Sequence, residues 1–248
     1  MMDEQSLLLP GERIDDLQFQ GLRVIQSPDA FRFSMDSVLL ADFCALRRGM
    51  RICDLGTGTG ILPLLLYGRG EKLTFDAVEI QPDAADRAKR SVLLNHLEDS
   101  ISVHAQDLRR VRCFLPHAAY DLVVCNPPYS PADTALLSPN PALRGARQEG
   151  LCTLEDILQA AEWLLKNRGR FAFMLPATRL QEAAAALEAH RFRLKRLRLV
   201  HGKADRPARL ALMEAMTDCG SGVQIMPPLI VKNADNTDTD EIKRIYHL

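Results

Sequence analysis

Short apolar segments alternate with segments of helical periodicity along most of the chain after residue 50. The apolar segments predict strands and the periodic segments predict helices, because side chains repeat about every two residues in a strand and about every 3.6 in a helix. The predicted strands are Arg51–Leu55, Thr74–Ile80, Ile101–Ala105, Asp121–Cys125, Arg170–Leu175, Arg193–Val200 and Arg209–Ala215. The predicted helices are Gly60–Tyr67, Pro82–Leu97, Leu154–Leu165 and Leu180–His190, with a capping box of Thr153 and Asp156 before the third.

This alternation predicts a doubly wound α/β fold. Apolar strands separated by helices form a parallel sheet that is covered by helices on both faces. The last two predicted strands have no helix between them, so we expect them to form an antiparallel hairpin at one edge. The expected sheet is therefore mostly parallel and has seven strands.

The two ends of the chain show weaker patterns. Apolar stretches on either side of Gly21 predict a β-hairpin within residues 13–33, and Ser34 is placed to cap a helix that runs to about Leu46. Residues 218–241 are polar and rich in turn-forming residues, so we expect a mobile tail there. The predicted organisation is an N-terminal extension packed on the core (1–48), a core domain (49–217) and a polar tail (218–248).

The composition indicates a globular protein. Of 248 residues, 47% are hydrophobic and 25% are charged, values that exclude a disordered or coiled-coil class. The six cysteines include no Cys-x-x-Cys pair, which favours buried free thiols in a reducing compartment over a metal site. Without a basic leader or an apolar run of bilayer length, we expect a cytoplasmic protein that uses neither membrane nor metal. The sequence leaves the oligomeric state open.

Positive charge is concentrated in one part of the chain, although the net charge is −1. Residues 139–213 carry 14 Lys/Arg and 7 Asp/Glu, and residues 191–209 carry eight Lys/Arg and one Asp. Such a stretch is typical of a surface that contacts an anionic macromolecule. The alternative is the solvated face of an edge strand, because Arg193, Lys195 and Arg198 nearly alternate with leucines.

A glycine-rich loop, Asp-Leu-Gly-Thr-Gly-Thr-Gly at residues 54–60, separates the first strand of the core from its first helix. Glycines allow a tight turn and leave room for a ligand, and the start of the helix offers N–H groups to an anion. Glu79 ends the next strand, where it can accept hydrogen bonds from ribose hydroxyls, and Asp107 can face an adenine amino group. The pattern favours a nucleoside-containing cofactor over a purely structural turn. The leading Asp54 disfavours a nicotinamide cofactor.

The tetrapeptide Asn126-Pro127-Pro128-Tyr129 follows the fourth core strand, at the same edge of the sheet. An amide or adenine amino group is a poor nucleophile because its lone pair is delocalised. The Asn126 side-chain oxygen and the Pro127 carbonyl can accept its two N–H hydrogen bonds and orient that lone pair. Pro128 stiffens the loop, and Tyr129 offers a ring on which a planar substrate can stack. The alternative is an ordinary turn.

With its leading acid, the glycine loop resembles that of class I S-adenosylmethionine-dependent methyltransferases. The resemblance implies a Rossmann-like fold, S-adenosylmethionine as the cofactor, and a role for Asp54 in holding the cofactor's ammonium group. From about Asp15 to Ala215 the chain resembles the bacterial family of tRNA adenine-N6-methyltransferases that act on valine tRNA. In that family the segment corresponding to Phe31–Ala41 lies over the cofactor site. The implied cofactor-binding residues are Phe33, Asp36, Asp54, Gly56, Thr57, Gly58, Gly60, Glu79, Ile80, Asp107, Leu108 and Asn126.

The same family resemblance implies that tRNA is the substrate, and that the target is N6 of the adenine on the 3′ side of the anticodon. The resemblance also covers Ala146-Arg147-Gln148-Glu149, although the family tends to have His at the position of Gln148. A base in a single-stranded loop is extruded at little cost. The concentration of positive charge supplies the predicted RNA-binding residues: Arg144, Arg147, Lys203, Arg206 and Arg209.

Other activities remain alternatives at this point. Protein glutamine-N5 methyltransferases that act on release factors share the tetrapeptide, but they carry a helical domain ahead of the catalytic domain. rRNA guanine-N2 methyltransferases more typically have Phe at the position of Tyr129, and DNA adenine methyltransferases carry an added target-recognition region. A cofactor-binding protein without catalysis is the alternative from another class, and the intact Asn126, Pro127 and Tyr129 disfavour it.

Overall fold

The computed structural model describes residues 4–27, 35–127 and 152–246. The strands are β1 (Arg13–Asp16), β2 (Arg23–Gln26), β3 (Arg51–Leu55), β4 (Thr74–Glu79), β5 (Ile101–Ala105), β6 (Tyr120–Cys125), β7 (Leu165–Pro176), β8 (Phe192–His201), β9 (Ala208–Thr217), β10 (Gln224–Ile225) and β11 (Leu229–Ile230). The helices are α1 (Met35–Phe43), α2 (Ile61–Arg69), α3 (Pro82–Leu94), α4 (Leu154–Leu164), α5 (Leu180–Ala189) and α6 (Asp240–Tyr246). Single 3-10 turns cover Glu4–Leu7, Leu108–Cys113 and Ala177–Arg179.

The main sheet confirms the predicted α/β fold. Its strand order is β10-β8-β9-β7-β6-β3-β4-β5, and β11 also pairs with β8. Strands β3 to β7 are mutually parallel where they pair, and β9 is antiparallel to both of its neighbours. The expected hairpin is therefore β8–β9. The sheet has nine strands in the described residues rather than seven, because the short strands β10 and β11 extend it beyond β8.

Most predicted elements have the expected bounds, and the capping box before α4 is present. Two differences have local causes. The helix predicted to reach Leu97 ends at Leu94, and His96 has a left-handed φ of 56° that no α-helix continues. Strand β7 begins at Leu165 rather than Arg170, and a bulge in its pairing with β6 accommodates the extra residues.

The main sheet separates two apolar layers. On one face Ile52 and Val124 pack in a cluster that includes Leu39 of α1 and Leu64 of α2. On the other face Val123 and Phe171 pack with residues of α4 and α5. Each layer removes apolar side chains from water, so the strand ends are held at fixed positions relative to one another.

The N-terminal hairpin β1–β2 packs on α3. Asn95, just after α3, accepts a hydrogen bond from the Arg23 backbone N–H at 2.9 Å and donates to the Arg23 carbonyl at 2.6 Å. The Ile25 N–H donates to the buried Ser91 hydroxyl at 3.0 Å. Ser34, the expected N-cap of α1, lies outside the described residues. The helix it would begin ends at Phe43 rather than Leu46.

The C-terminal segment does not form the expected mobile tail. Strands β10 and β11 pair with β8 in parallel, and α6 follows them. Leu229, Val231, Ile242 and Ile245 are buried and join the same apolar cluster as α1 and α2. A polar segment with a few well-placed apolar residues therefore completes one edge of the fold. Within the described parts of the chain, no helix has both the length and the hydropathy needed to span a bilayer.

Candidate functional site

The polar residues that the sequence singles out meet at one edge of the main sheet. Strands β6, β3, β4 and β5 are adjacent and parallel, so their carboxyl ends lie side by side. The glycine loop follows β3, Glu79 ends β4, Asp107 follows β5 and Asn126 follows β6. Ligands of open α/β sheets bind at this edge.

The glycine loop has a backbone that favours glycine and a surface open to a ligand. Gly58 has a φ of +58°, and a side chain at Gly56 or Gly58 would meet no atom within 4 Å. Gly60 has a φ of +83°, and a Cβ there would lie 3.2 Å from Ala88 Cβ on α3. The loop is therefore close-packed on its α3 side and open at Gly56 and Gly58.

Glu79 holds the glycine loop from the neighbouring strand. Its Oε2 accepts a hydrogen bond from the Gly58 N–H at 2.9 Å, and its Oε1 accepts one from the Gln81 N–H at 2.9 Å. The N–H groups of Gly56 and Thr57 donate to the Val78 carbonyl at 2.9 and 3.0 Å. These loop N–H groups are thus used within the protein. The Glu79 carboxylate retains lone pairs that can accept hydrogen bonds from a ribose.

Asp54 is a buried acid whose carboxylate is only partly satisfied. Its side-chain Oδ2 has no hydrogen-bond partner among the residues that the structure describes. Burial, with a contribution from the Glu79 charge, raises the pKa of Asp54 to about 7. A ligand ammonium group would supply both the missing donors and the missing positive charge. Together with the open glycine surface, this acid fits the amino-acid end of S-adenosylmethionine.

Asp107 has a partner that the sequence did not indicate. It accepts a hydrogen bond from the Arg109 backbone N–H at 2.9 Å and forms an ion pair with the Arg109 guanidinium at 2.6 Å. The hydrogen bonds from the Arg109 side chain lower the pKa of Asp107. Ile80 and Leu108 lie half-buried after β4 and at the start of the 3-10 turn. Asp107 remains at the predicted edge, but as an ionised and bound carboxylate.

Asn126 contacts a residue for which the sequence analysis proposed no role. Its Nδ2 donates a hydrogen bond to Ser37 Oγ at 3.2 Å, and Ser37 is buried in the first turn of α1. Pro127 follows and is also buried. The only sequence signal for this contact is the resemblance of Phe31–Ala41 to a segment that lies over the cofactor site.

Not all of the predicted site residues belong to the part of the chain that the structure describes. Phe33, Pro128, Tyr129, Arg144 and Arg147 lie outside the described residues. Asp36 is in the first turn of α1, and its charge adds to the effect of burial that raises the pKa of Tyr246 on α6. This places Asp36 near the C-terminal helix.

Three of the predicted RNA-binding residues lie in or beside the β8–β9 connection. That connection leaves the carboxyl end of β8, which is the same edge as the glycine loop and Asn126. Lys203 Nζ donates to the Ala234 carbonyl at 3.1 Å. The Arg206 side chain is 73% exposed, and Arg209 is exposed at the start of β9. The edge therefore presents positive charge to solvent.

The basic residues along β8 itself have partners within the protein. Arg196 lies 3.3 Å from Glu214 of β9. Arg198 lies 2.7 Å from Glu241 of α6 and is buried. Lys195 donates to the Gly220 carbonyl at 3.1 Å. Arg196 and Arg198 therefore hold the edge of the sheet, whereas Arg193 is exposed, as the solvated-face alternative expects.

Comparison with known proteins agrees with this architecture. Residues 29–195 match the family described as methyltransferase small domain. A tRNA1(Val) (adenine(37)-N6)-methyltransferase of Serratia proteamaculans is 33% identical over 224 residues, covering 87% of this chain and 82% of that protein. A protein of the same description from Tolumonas auensis is 32% identical, covering 79% and 80%. A solved structure from Agrobacterium tumefaciens, described as a predicted O-methyltransferase, has a TM-score of 0.70 at 25% identity and covers 86% of this chain and 96% of its own.

Proposed function

Because the chain belongs to the methyltransferase small domain family and to the family of tRNA1(Val) (adenine(37)-N6)-methyltransferases, we propose that it methylates the exocyclic N6 of adenine 37 in tRNA1(Val). The methyl donor is S-adenosylmethionine. The observation that carries the proposal is the meeting of the glycine loop, the partly satisfied Asp54 and the Asn126 side chain at one sheet edge.

The residues for the cofactor follow from the chemistry of each group. S-adenosylmethionine supplies an electrophilic methyl group on a sulfonium when it is bound. Asp54 and the open face of Gly56 and Gly58 hold its amino-acid end, and Glu79 accepts hydrogen bonds from its ribose. Ile80 and Leu108 flank the adenine, and Asp107 accepts from its amino group in competition with Arg109.

Asn126 and Pro127 act on the substrate amino group. The N6 lone pair is delocalised into the adenine ring, so it must be turned towards the methyl group before it can attack. The Asn126 side-chain oxygen and the Pro127 carbonyl accept the two N6–H hydrogen bonds and favour that geometry. When N6 takes the methyl group, the C–S bond of the sulfonium would break as the C–N bond forms, a neutral thioether would be left, and one N6 proton would be lost to solvent. Pro128 and Tyr129 are the next two residues of the sequence, and stacking of the base on the Tyr129 ring is part of the proposal.

The RNA is held through its phosphates. Lys203, Arg206 and Arg209 flank the same sheet edge, and Arg144 and Arg147 belong to the connection after Asn126. An adenine on the 3′ side of the anticodon is single-stranded, so it reaches the site without the loss of a base pair. Phosphate contacts from these cations position the loop and carry no base specificity.

The test is methyl transfer from labelled S-adenosylmethionine to unmodified tRNA1(Val) transcript, with the labelled nucleoside identified by mass spectrometry. We expect N6-methyladenosine in the wild-type transcript and none in a transcript in which position 37 is guanosine. Label in a release factor or in rRNA, with none in tRNA, would overturn the proposal in favour of the corresponding methyltransferase. Label in tRNA at another position would overturn the assignment of the site but not of the substrate class.

A further inference from the structure

The Asn126 amide has two chemically different ends, and one of them is already bound. Nδ2 donates to Ser37 Oγ at 3.2 Å, which joins the carboxyl end of β6 to the first turn of α1. We propose that Ser37 is a positioning residue that holds the Asn126 side chain at the strand end, where its Oδ1 can accept a hydrogen bond from the substrate amino group. This inference rests on the proposed function.

The orientation of the Asn126 amide matters because its oxygen and its NH2 group are similar in shape but opposite in hydrogen bonding: the oxygen accepts and the NH2 group donates. The terminal torsion of an asparagine is broad and roughly two-fold, so an unrestrained amide can present either its oxygen or its NH2 group. An NH2 group facing the substrate would set donor against donor. The hydrogen bond from Nδ2 to Ser37 Oγ restrains this torsion, and because Ser37 is only 5% exposed, water competes little for its hydroxyl.

The position of Ser37 is itself fixed by contacts along α1. Asp42 at the far end of this helix lies 3.2 Å from Arg69 of α2 and 3.8 Å from Arg244 of α6. Ile242 and Ile245 of α6 are buried in the apolar cluster that contains the inner face of α1. The hydroxyl is thus held in place before the substrate arrives, which lowers the entropy lost in forming the reactive geometry.

The experiment compares Ser37→Ala, Ser37→Thr and Ser91→Ala with the wild type. Ser91 is the matched control, because it is also a buried serine whose hydroxyl makes one hydrogen bond, here to the Ile25 N–H at 3.0 Å. We expect Ser37→Ala to lower kcat about three- to tenfold, the worth of one hydrogen bond, with less than a twofold change in the Kd for S-adenosylmethionine. Ser37→Thr retains a hydroxyl and should recover most of kcat. Ser91→Ala should lower Tm and leave kcat unchanged.

A double-mutant cycle separates positioning from general destabilisation. If Ser37 acts through Asn126, Ser37→Ala should have no further effect on the single-turnover rate of an Asn126→Ala enzyme. An equal loss in both backgrounds, or an unchanged kcat for Ser37→Ala, would overturn the inference while leaving the proposed function intact. If the wild type transfers no methyl group to tRNA, the proposed function and the inference about Ser37 both fail.

Discussion

The polar side chains at the carboxyl ends of β3–β6 and the basic side chains of β8 differ in what they contact. At the strand ends, the partly satisfied Asp54 and the open surface at Gly56 and Gly58 remain available to a ligand. Along β8, Arg196 and Arg198 are bound to Glu214 and Glu241 of other elements. Polar side chains that follow the strand ends are brought together by the sheet topology. The role of a charged side chain along a strand depends instead on the elements that pack against it.

The difference arises from sequence distance. Within the glycine loop, Gly60 N–H donates to the Thr57 carbonyl at 3.0 Å, and the N–H groups of residues 56–58 reach only to Val78 and Glu79 of the next strand along the chain. Arg196, by contrast, donates to the Phe43 carbonyl at 3.2 Å and lies 4.5 Å above the Phe43 ring. That partner belongs to a helix far earlier in the chain, and no local pattern indicates it.

The largest effect should come from the strand-end region. Replacing Asn126 by Ala removes an acceptor for the substrate amino group, and we expect kcat to fall about a thousandfold, comparable to the loss of a preorganised hydrogen-bonding group in other active sites. The Kd for S-adenosylmethionine should change less than threefold. Single-turnover kinetics and calorimetric titration measure the two quantities. A kcat near the wild-type value would remove Asn126 from the reaction.

Asp54→Asn should stabilise the protein and weaken cofactor binding. The folded-state pKa of about 7 lies above the ordinary value of 3.8, so the folded state keeps a proton that the unfolded state releases. Wild-type stability therefore falls as pH rises between these values, by roughly 1.4 kcal/mol per pH unit from this group alone. Asparagine does not titrate, so the free energy of unfolding of the variant does not fall in this way. The difference in unfolding free energy between variant and wild type, measured by urea denaturation, should therefore grow from pH 4 to pH 7 and then level off.

The control for Asp54→Asn is the same pair of unfolding measurements at pH 8 with saturating S-adenosylmethionine. The ligand should stabilise the wild type more than the variant, because its ammonium group pairs with an ionised Asp54. A stability difference that does not change with pH would contradict the titration of Asp54.

Disrupting a β8 partner should affect stability rather than catalysis. Glu214 is buried between Arg170 and Arg196, each at 3.3 Å, so Glu214→Gln leaves two cations without their counter-charge. We expect a loss of about 3 kcal/mol in the free energy of unfolding, with kcat retained by the folded enzyme. Glu188→Gln is the matched control, because its partner Arg193 is 3.5 Å away and Glu188 is 77% exposed. The control should lose less than about 0.5 kcal/mol.

The smallest effect should be on RNA binding. Lys203→Ala with Arg206→Ala removes two cations at the site edge, the half-buried Lys203 and the exposed Arg206. The slope of log K for tRNA against log salt should therefore fall by up to about two units. The matched control is Arg193→Ala with Lys195→Ala, which removes the same charge from β8 and should leave the slope unchanged. Equal slopes for the two double variants would contradict the division between the site edge and β8.

Strong periodic patterns allowed most of the fold to be predicted. The buried parallel strand β6 is a nearly continuous apolar run, four of the five residues of β3 are buried, and α4 carries its own capping box. Strands β10 and β11 contain two residues each. They are too short for a period to be detectable, and their pairing with β8 exists only once the sheet has formed.

The candidate site likewise contains features that the sequence predicts and contacts that it does not. The glycine loop and Glu79 are recognisable because their spacing reflects local turns and the length of one strand–helix–strand unit. The pairing of Asp107 with Arg109 and of Asn126 with Ser37 depends on side-chain rotamers and on the docking of α1. Those contacts have no period and no spacing rule, so the sequence could not specify them.

The docking of α6 on α1 affects how the chain matures on the ribosome. The inner face of α1 shares its apolar cluster with Ile242 and Ile245, which are synthesised nearly a full chain length later. Until α6 has left the exit tunnel, α1 has part of this face exposed to water and to chaperones. The central strands can pair during translation, whereas the final seating of α1 waits until α6 has left the exit tunnel. Nascent chains stalled with α6 inside the tunnel should therefore be less protease-resistant at α1 than chains stalled with α6 carried out of the tunnel by a C-terminal linker.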